Sequence, residues 1–190
     1  MRYPLLSPDQ EPVLSGALNG KIAFSRMIQG INGHPETACP LFLDFRCVQV
    51  ATASYLRESV FSLKSYLRAT DSKFYAVAAN VNDSVYDELL LVAQAKNDAI
   101  ISCRLNEVDQ VSDIGLIGQL DPKQQLTFDL VNKLSEADAN TLKERYGDTE
   151  KTTAWNNRLA GLAARGLIRE FARGRAKYYR PVVEAGSYGS

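Results

Sequence analysis

The sequence predicts an α/β fold in two parts: a small mixed or mainly parallel sheet with helices, followed by a separate domain of three helices and a β-hairpin. Three observations carry this. Short apolar runs alternate with helical patterns up to about residue 108, the order that builds βαβ crossovers. Three helical patterns then follow in quick succession from residue 123, and two strand-like runs close the chain around a basic turn. At 190 residues, 45% hydrophobic and 23% charged, the chain is long enough for one large domain or two small ones.

Residues 1–14 contain three prolines and no sustained periodicity, and read as an irregular arm. Ser15 is placed to cap a helix over 17–31, where Leu18, Ile22, Met27, Ile28 and Ile31 approximate helical spacing and Gly30 with Asn32-Gly33 supplies a stop. Pro40-Leu41-Phe42-Leu43-Asp44-Phe45 is an apolar run rich in strand formers, as expected of a strand covered on both faces. A second helix starts near Thr52 or Ser54 and runs to Ala69, with Tyr55, Leu56, Val60, Leu63 and Leu67 on or beside one stripe. Residues 74–79 form the next strand, 83–97 a third helix opened by Asp83 or Ser84, and 99–103 a further strand. The first domain therefore spans 15–108. Scattered acids, two glycines and a proline mark 109–122 as a linker.

The second domain spans 123–184. Its helices cover about 123–134, 136–146 and 150–166, with Gly147 and Gly166 ending the last two. Residues 167–171 and 176–182 are strands joined at Ala172-Arg173-Gly174-Arg175, and 185–190 is a flexible tail.

The net charge is zero, from 22 Lys+Arg against 22 Asp+Glu, which taken alone argues against a nucleic-acid or membrane-surface protein. Location changes that. Residues 1–150 hold 14 basic and 20 acidic side chains, whereas 151–190 hold 8 basic and 2 acidic, and the excess over 151–180 is +7. The opposite signs predict that the acidic part screens the basic one, so that the full chain binds DNA more weakly than residues 119–190.

Thr152-Thr153-Ala154-Trp155-Asn156-Asn157-Arg158-Leu159, with Leu162, Gly166-Leu167-Ile168 and Tyr178-Tyr179-Arg180-Pro181, resembles the recognition helix and wing of bacterial winged helix-turn-helix regulators over about 65 residues. The residues speak independently of the resemblance. With Trp155, Leu159 and Leu162 inward, a step of about 100° per residue puts Thr153, Asn156, Asn157 and Ala160 outward. Asn pairs with adenine edges, and Thr reaches phosphate or a thymine methyl. The DNA-contact candidates are Thr152, Thr153, Asn156, Asn157, Arg158, Arg173, Arg175 and Lys177. The last three, spaced two apart, are expected to share one strand face along phosphates.

Leu43-Asp44-Phe45 followed by the Ser/Thr cluster Thr52-Ala53-Ser54-Tyr55 resembles the STAS-like domains of bacterial proteins, relatives of the anti-sigma factor antagonists, over residues 15–105. In the antagonists the strand leads into D-S-S-G and the first serine accepts phosphate. Here Ala53 stands at that acceptor and Tyr55 replaces the glycine. Thr52 and Ser54 are the remaining candidate acceptors, and both are equally suited to capping the helix. The resemblance implies a protein-binding or sensing module.

Catalysis is not expected. There is no Gly-rich phosphate loop after a strand, no G-x-S-x-G and no histidine pair; the one histidine, His34, sits in a turn-like stretch. Asp44, in a strand otherwise read as buried, is expected to cap the following turn or support Thr52. Cys39, Cys47 and Cys103 form no CxxC and read as buried thiols, so neither a metal nor another cofactor is expected. No apolar run is long enough to span a bilayer and none reads as a secretory signal, so a cytoplasmic location is expected. The expected partners are double-stranded DNA, bound as a homodimer over two half-sites, and a protein or second copy at the first domain. The alternative is a protein adaptor that uses the winged helix as an interface.

Overall fold

The computed structural model describes residues 1–31, 35–147 and 151–187; His34 and the stop expected at Asn32-Gly33 lie outside them. The chain forms an α/β fold in two compact units, Met1–Gln119 with Ala185–Ser190, and Leu120–Glu184. No helix of the described residues is long and apolar enough to cross a membrane.

The first unit is built on a six-stranded mixed sheet. Its central strands are the apolar runs of the sequence: β3 (Cys39–Asp44) and β5 (Phe74–Ala79) pair in parallel, and β6 (Ala99–Leu105) pairs in parallel with β5. α1 (Ala17–Gly30) precedes β3; α2 (Ala53–Leu56) and a π-helical turn (Arg57–Phe61) continuing into α3 (Ser62–Ala69) connect β3 to β5, and α4 (Asp83–Ala95) connects β5 to β6. Leu41, Leu43, Ala76, Ala78 and Ile100 alternate along the strands onto one face, and pack with Met27, Leu56, Val60, Leu63 and Leu89 from the helices.

Several segments depart from expectation. Residues 1–14 are not an irregular arm: β1 (Arg2–Pro4) is a parallel edge strand beside β3, and β2 (Val13–Leu14) pairs with β4 (Val50–Ala51). Both are too short for a periodic signal, and Pro4 is tolerated because an edge strand leaves one side unpaired. Within the expected linker lies β7 (Gln110–Gly118), antiparallel to β6. Its register shifts opposite Ser102 to Arg104, where Asp113 takes a left-handed φ of 49°, so the apolar alternation is broken by a bulge. Gly186–Ser187 forms β10 against Val111 and Gln110 of β7, so the start of the expected tail is paired backbone.

The helices differ in which face they bury. On α1 the buried positions are Gly20 and Met27, while Leu18 is 72% exposed and Ile22 faces outward beside it. Ser15 does not cap α1, whose N-cap is Gly16 without a side-chain bond. Gly20 is needed at the crossing of α1 over the next helix, because a Cβ there would lie 2.6 Å from the Tyr55 carbonyl oxygen.

The second unit consists of α5 (Pro122–Leu134), α6 (Ala139–Tyr146), α7 (Thr152–Ala164), and a hairpin of β8 (Ile168–Arg173) and β9 (Ala176–Pro181). Asp121 caps α5 by accepting from the backbone N–H of Lys123 and Gln124, and Asp138 caps α6 through Thr141. Ala137, between α5 and α6, exchanges two backbone hydrogen bonds with Tyr179 of β9, at 3.0 and 2.8 Å. Trp155, Leu159, Leu162, Leu142, Val131 and Ile168 supply the unit's buried core.

Replacing Gly20 with Ala forces α1 off the Tyr55 carbonyl. We expect it to destabilise the chain by about 1–2 kcal/mol, the overpacking cost outweighing alanine's helix preference. Urea unfolding of the full chain measures this; an unchanged or raised midpoint would contradict the close crossing.

Candidate functional site

On α7 the structure exposes Thr153, Asn156, Asn157 and Ala160 while Trp155, Leu159 and Leu162 are buried. Thr152 is half-buried at the first helical position. Among the described residues, no hydrogen bond occupies the side chains of Thr153, Asn156 or Asn157. Arg158 is different. Its guanidinium lies 4.1 Å from the Trp155 ring centroid, and its Nε donates to the Ala154 carbonyl at 3.2 Å. Burial there lowers its pKa, with Asp121 pulling the other way. Arg158 therefore packs the helix rather than extending the exposed polar face.

The hairpin register corrects the expected basic stripe. The turn is the two residues Gly174-Arg175, with a φ of 64° at Gly174, so Ala172 pairs with Lys177 and Arg173 with Ala176. Arg173 and Lys177 thus lie on opposite faces, because a spacing of two defines one face only within one strand. On one face, Glu170 holds Lys177 at 2.8 Å and accepts from the Tyr179 hydroxyl at 3.1 Å. Burial and the Glu170 carboxylate push Tyr179 up to about 12. On the other face Phe171 and Tyr178 stack with centroids 5.8 Å apart. Arg173 lies over Tyr178 and Arg180 over Phe171. Both arginines also bind Glu136, at 3.1 Å from Arg173 and 2.6 Å from Arg180. Hydrogen bonding from Arg180 and the charge of Arg173 hold the Glu136 carboxyl below its usual range. Arg175, at the tip, makes no ion pair among the described residues.

Counting charge by folded unit halves the asymmetry. Leu120–Glu184 carries 12 basic and 9 acidic side chains, a net of +3, against −3 for the remainder. A division at residue 150 cuts through the second unit and leaves out Glu136, the partner of two of its arginines.

In the first unit, Thr52 is the N-cap of α2: its Oγ1 accepts from the backbone N–H of Tyr55 at 3.4 Å and of Gly16 at 3.2 Å. Ser54 Oγ lies 3.2 Å from the same atom. The Ala53 N–H donates to the Glu88 carboxylate at 2.6 Å. A phosphate on either hydroxyl would meet an anion already seated at this helix end.

Asp44 lies at the carboxyl end of β3 and is 4% exposed. It accepts from Arg2 Nε at 2.7 Å, Asn80 Nδ2 at 2.8 Å and the Arg46 backbone N–H at 3.0 Å. It therefore caps the following turn and does not reach Thr52. Asn80 in turn accepts from the Leu105 N–H at 2.9 Å, and Arg46 donates to the Leu105 carbonyl at 2.7 Å. None of these bonds joins residues close enough in sequence for a spacing rule to find them, apart from the Asp44–Arg46 turn. Of the cysteines, Cys103 is buried while Cys39 and Cys47 are half-buried. Burial and the nearby Asp44 push the Cys103 thiol up to about 12, which removes it as a nucleophile near neutral pH.

Asp44→Ala removes the acceptor of the Asn80 amide and leaves Arg2 with only its longer contact to Asp109. We expect a loss of about 2–4 kcal/mol in urea unfolding, less than for a fully enclosed pair because Arg2 can rehydrate. A loss under about 0.5 kcal/mol, within the range of a surface substitution, would contradict the role assigned to the network. No protein-family model matches the chain, and a search of curated proteins finds no match.

Proposed function

We propose that the chain is a non-enzymatic regulatory protein that binds double-stranded DNA through its second unit, a winged helix-turn-helix, and uses its STAS-like first unit for protein interaction or sensing. The carrying observation is the exposed face of α7, where Thr153, Asn156 and Asn157 present polar groups that no side chain of the described residues occupies. Two adjacent free amides beside the small Ala160 suit a helix that approaches base edges closely. The pairing of Ala137 with Tyr179 supports the winged-helix reading, since it joins the segment before α6 to the hairpin and sets hairpin and helices in one core.

In this reading α7 enters the major groove, Asn156 and Asn157 address base edges, and Thr153 reaches phosphate or a thymine methyl. Arg175 meets the backbone from the hairpin tip. Arg173 and Lys177 contribute by exchanging their exposed ion pairs, which are individually weak, for phosphate. A homodimer would place two such helices on neighbouring half-sites.

A second reading, a protein adaptor, is favoured by one observation: Glu136 already pairs with Arg173 and Arg180, and Glu170 with Lys177. A salt titration separates the two. We expect the full chain to bind a mixed-sequence duplex at low salt by fluorescence anisotropy, with log affinity falling linearly in log salt. Arg175→Ala should lower that slope by about one, and Arg173→Ala by less. Absence of binding at low salt, or indifference to both substitutions, would leave the adaptor.

A further inference from the structure

The first unit contains a cavity of about 570 Å³ between the segment from β1 to β2 and the outward face of α1. That volume lies in the range of pockets that enclose small organic molecules. Its walls are tied at both ends. Leu5 N–H donates to the Asp44 carbonyl where the segment leaves β1, and the Pro12 carbonyl accepts from Gln49 and Val50 where it enters β2. Between these anchors Ser7 and Gln10 close a turn on each other. The cavity is thus a preformed feature of the unit.

Its chemistry is asymmetric. Leu5, Leu6, Leu14, Ile22 and Met27 supply an apolar patch within a lining whose exposed surface is mostly polar. Three donors line it without a partner among the described residues: the hydroxyls of Tyr55 and Tyr3, and the guanidinium of Arg26. Tyr55 is 5% exposed, and its hydroxyl, which has no protein acceptor among the described residues, is not one of the fully buried unpaired atoms, so what remains open of the side chain is the polar end. Burial and Tyr3 raise its pKa to about 12 while Arg26 opposes them, which keeps the phenol a neutral donor and shows that the Arg26 charge reaches it. Glu11 also lines the cavity, but it is exposed and makes no ion pair with Arg26.

We infer that this cavity binds a small organic anion, a carboxylate or sulfonate on an apolar body, with Arg26 and the Tyr55 and Tyr3 hydroxyls holding the charged end. The residues that line it are those of the first unit alone, and the inference stands whether or not the second unit binds DNA. It also accounts for the face of α1 that the amphipathic stripe leaves outward: Ile22 there borders the cavity rather than the core.

The test is a pair of fluorescent probes on the full chain: the sulfonate 1-anilinonaphthalene-8-sulfonate and its uncharged relative N-phenyl-1-naphthylamine. The sulfonate should bind more tightly. Arg26→Met should weaken it by roughly tenfold while changing the neutral probe less than about twofold, the difference expected for one charge-assisted contact. Tyr55→Phe, which keeps the ring, should weaken the sulfonate by about threefold or more at an unchanged melting temperature. Leu18→Ser, on the exposed surface of α1 outside the cavity, should change neither. Equal affinity for the two probes, indifference to Arg26→Met and Tyr55→Phe, or loss of sulfonate binding in Leu18→Ser alone would overturn the inference.

Discussion

A carboxylate with 4% exposure must be met by donors, and the way Asp44 is met organises the first unit. Its partners come from three places: Arg2 on the edge strand β1, the backbone of Arg46 in the turn after β3, and Asn80 just after β5. Asn80 takes a left-handed φ of 59° and extends the network to Leu105 at the end of β6. The carboxyl ends of β3, β5 and β6 and the first residue of β1 are thereby tied to one buried charge. Arg2 also reaches Asp109 at 3.3 Å, in the turn that leads into β7. The consequence travels outward: fixing β1 anchors the segment that follows it, and that segment walls the cavity beside α1.

What was legible in the sequence follows from how local each signal is. β3 and β5 are continuous apolar runs, and each stands where its composition places it. The helices of the second unit carry their own punctuation, Asp121 and Asp138 at N-caps, and the inward face of α7 follows from the helical step alone. β1 and β10 have too few residues for any period, and the bulge at Asp113 hides β7 among polar residues. The sequence pattern places Ser15 at the cap of α1 and Leu18 inward, whereas tertiary packing, with Gly20 at the crossing, decides which face turns inward.

The hairpin illustrates the same limit at a candidate site. Its basic residues are visible in the sequence, but their faces depend on a two-residue turn, and their partner Glu136 lies 37 residues from Arg173 and 44 from Arg180. A run of cations is therefore a poor guide to free positive charge. With a net of +3 on the second unit, affinity for a polyanion has to come from a few uncommitted groups placed well, rather than from a broad basic surface. That shifts the weight of the functional reading from the hairpin to α7.

In the proposed function the exposed side chains of α7 form the binding face for duplex DNA. Side-chain amide resonances of Asn156 and Asn157, followed by heteronuclear NMR while a duplex is added to the full chain at low salt, address it at the atoms concerned. These resonances and the Thr153 backbone amide are expected to shift together, with Arg175 at the hairpin tip following. Shifts confined to other surfaces, or a spectrum that the duplex leaves unchanged, would contradict it.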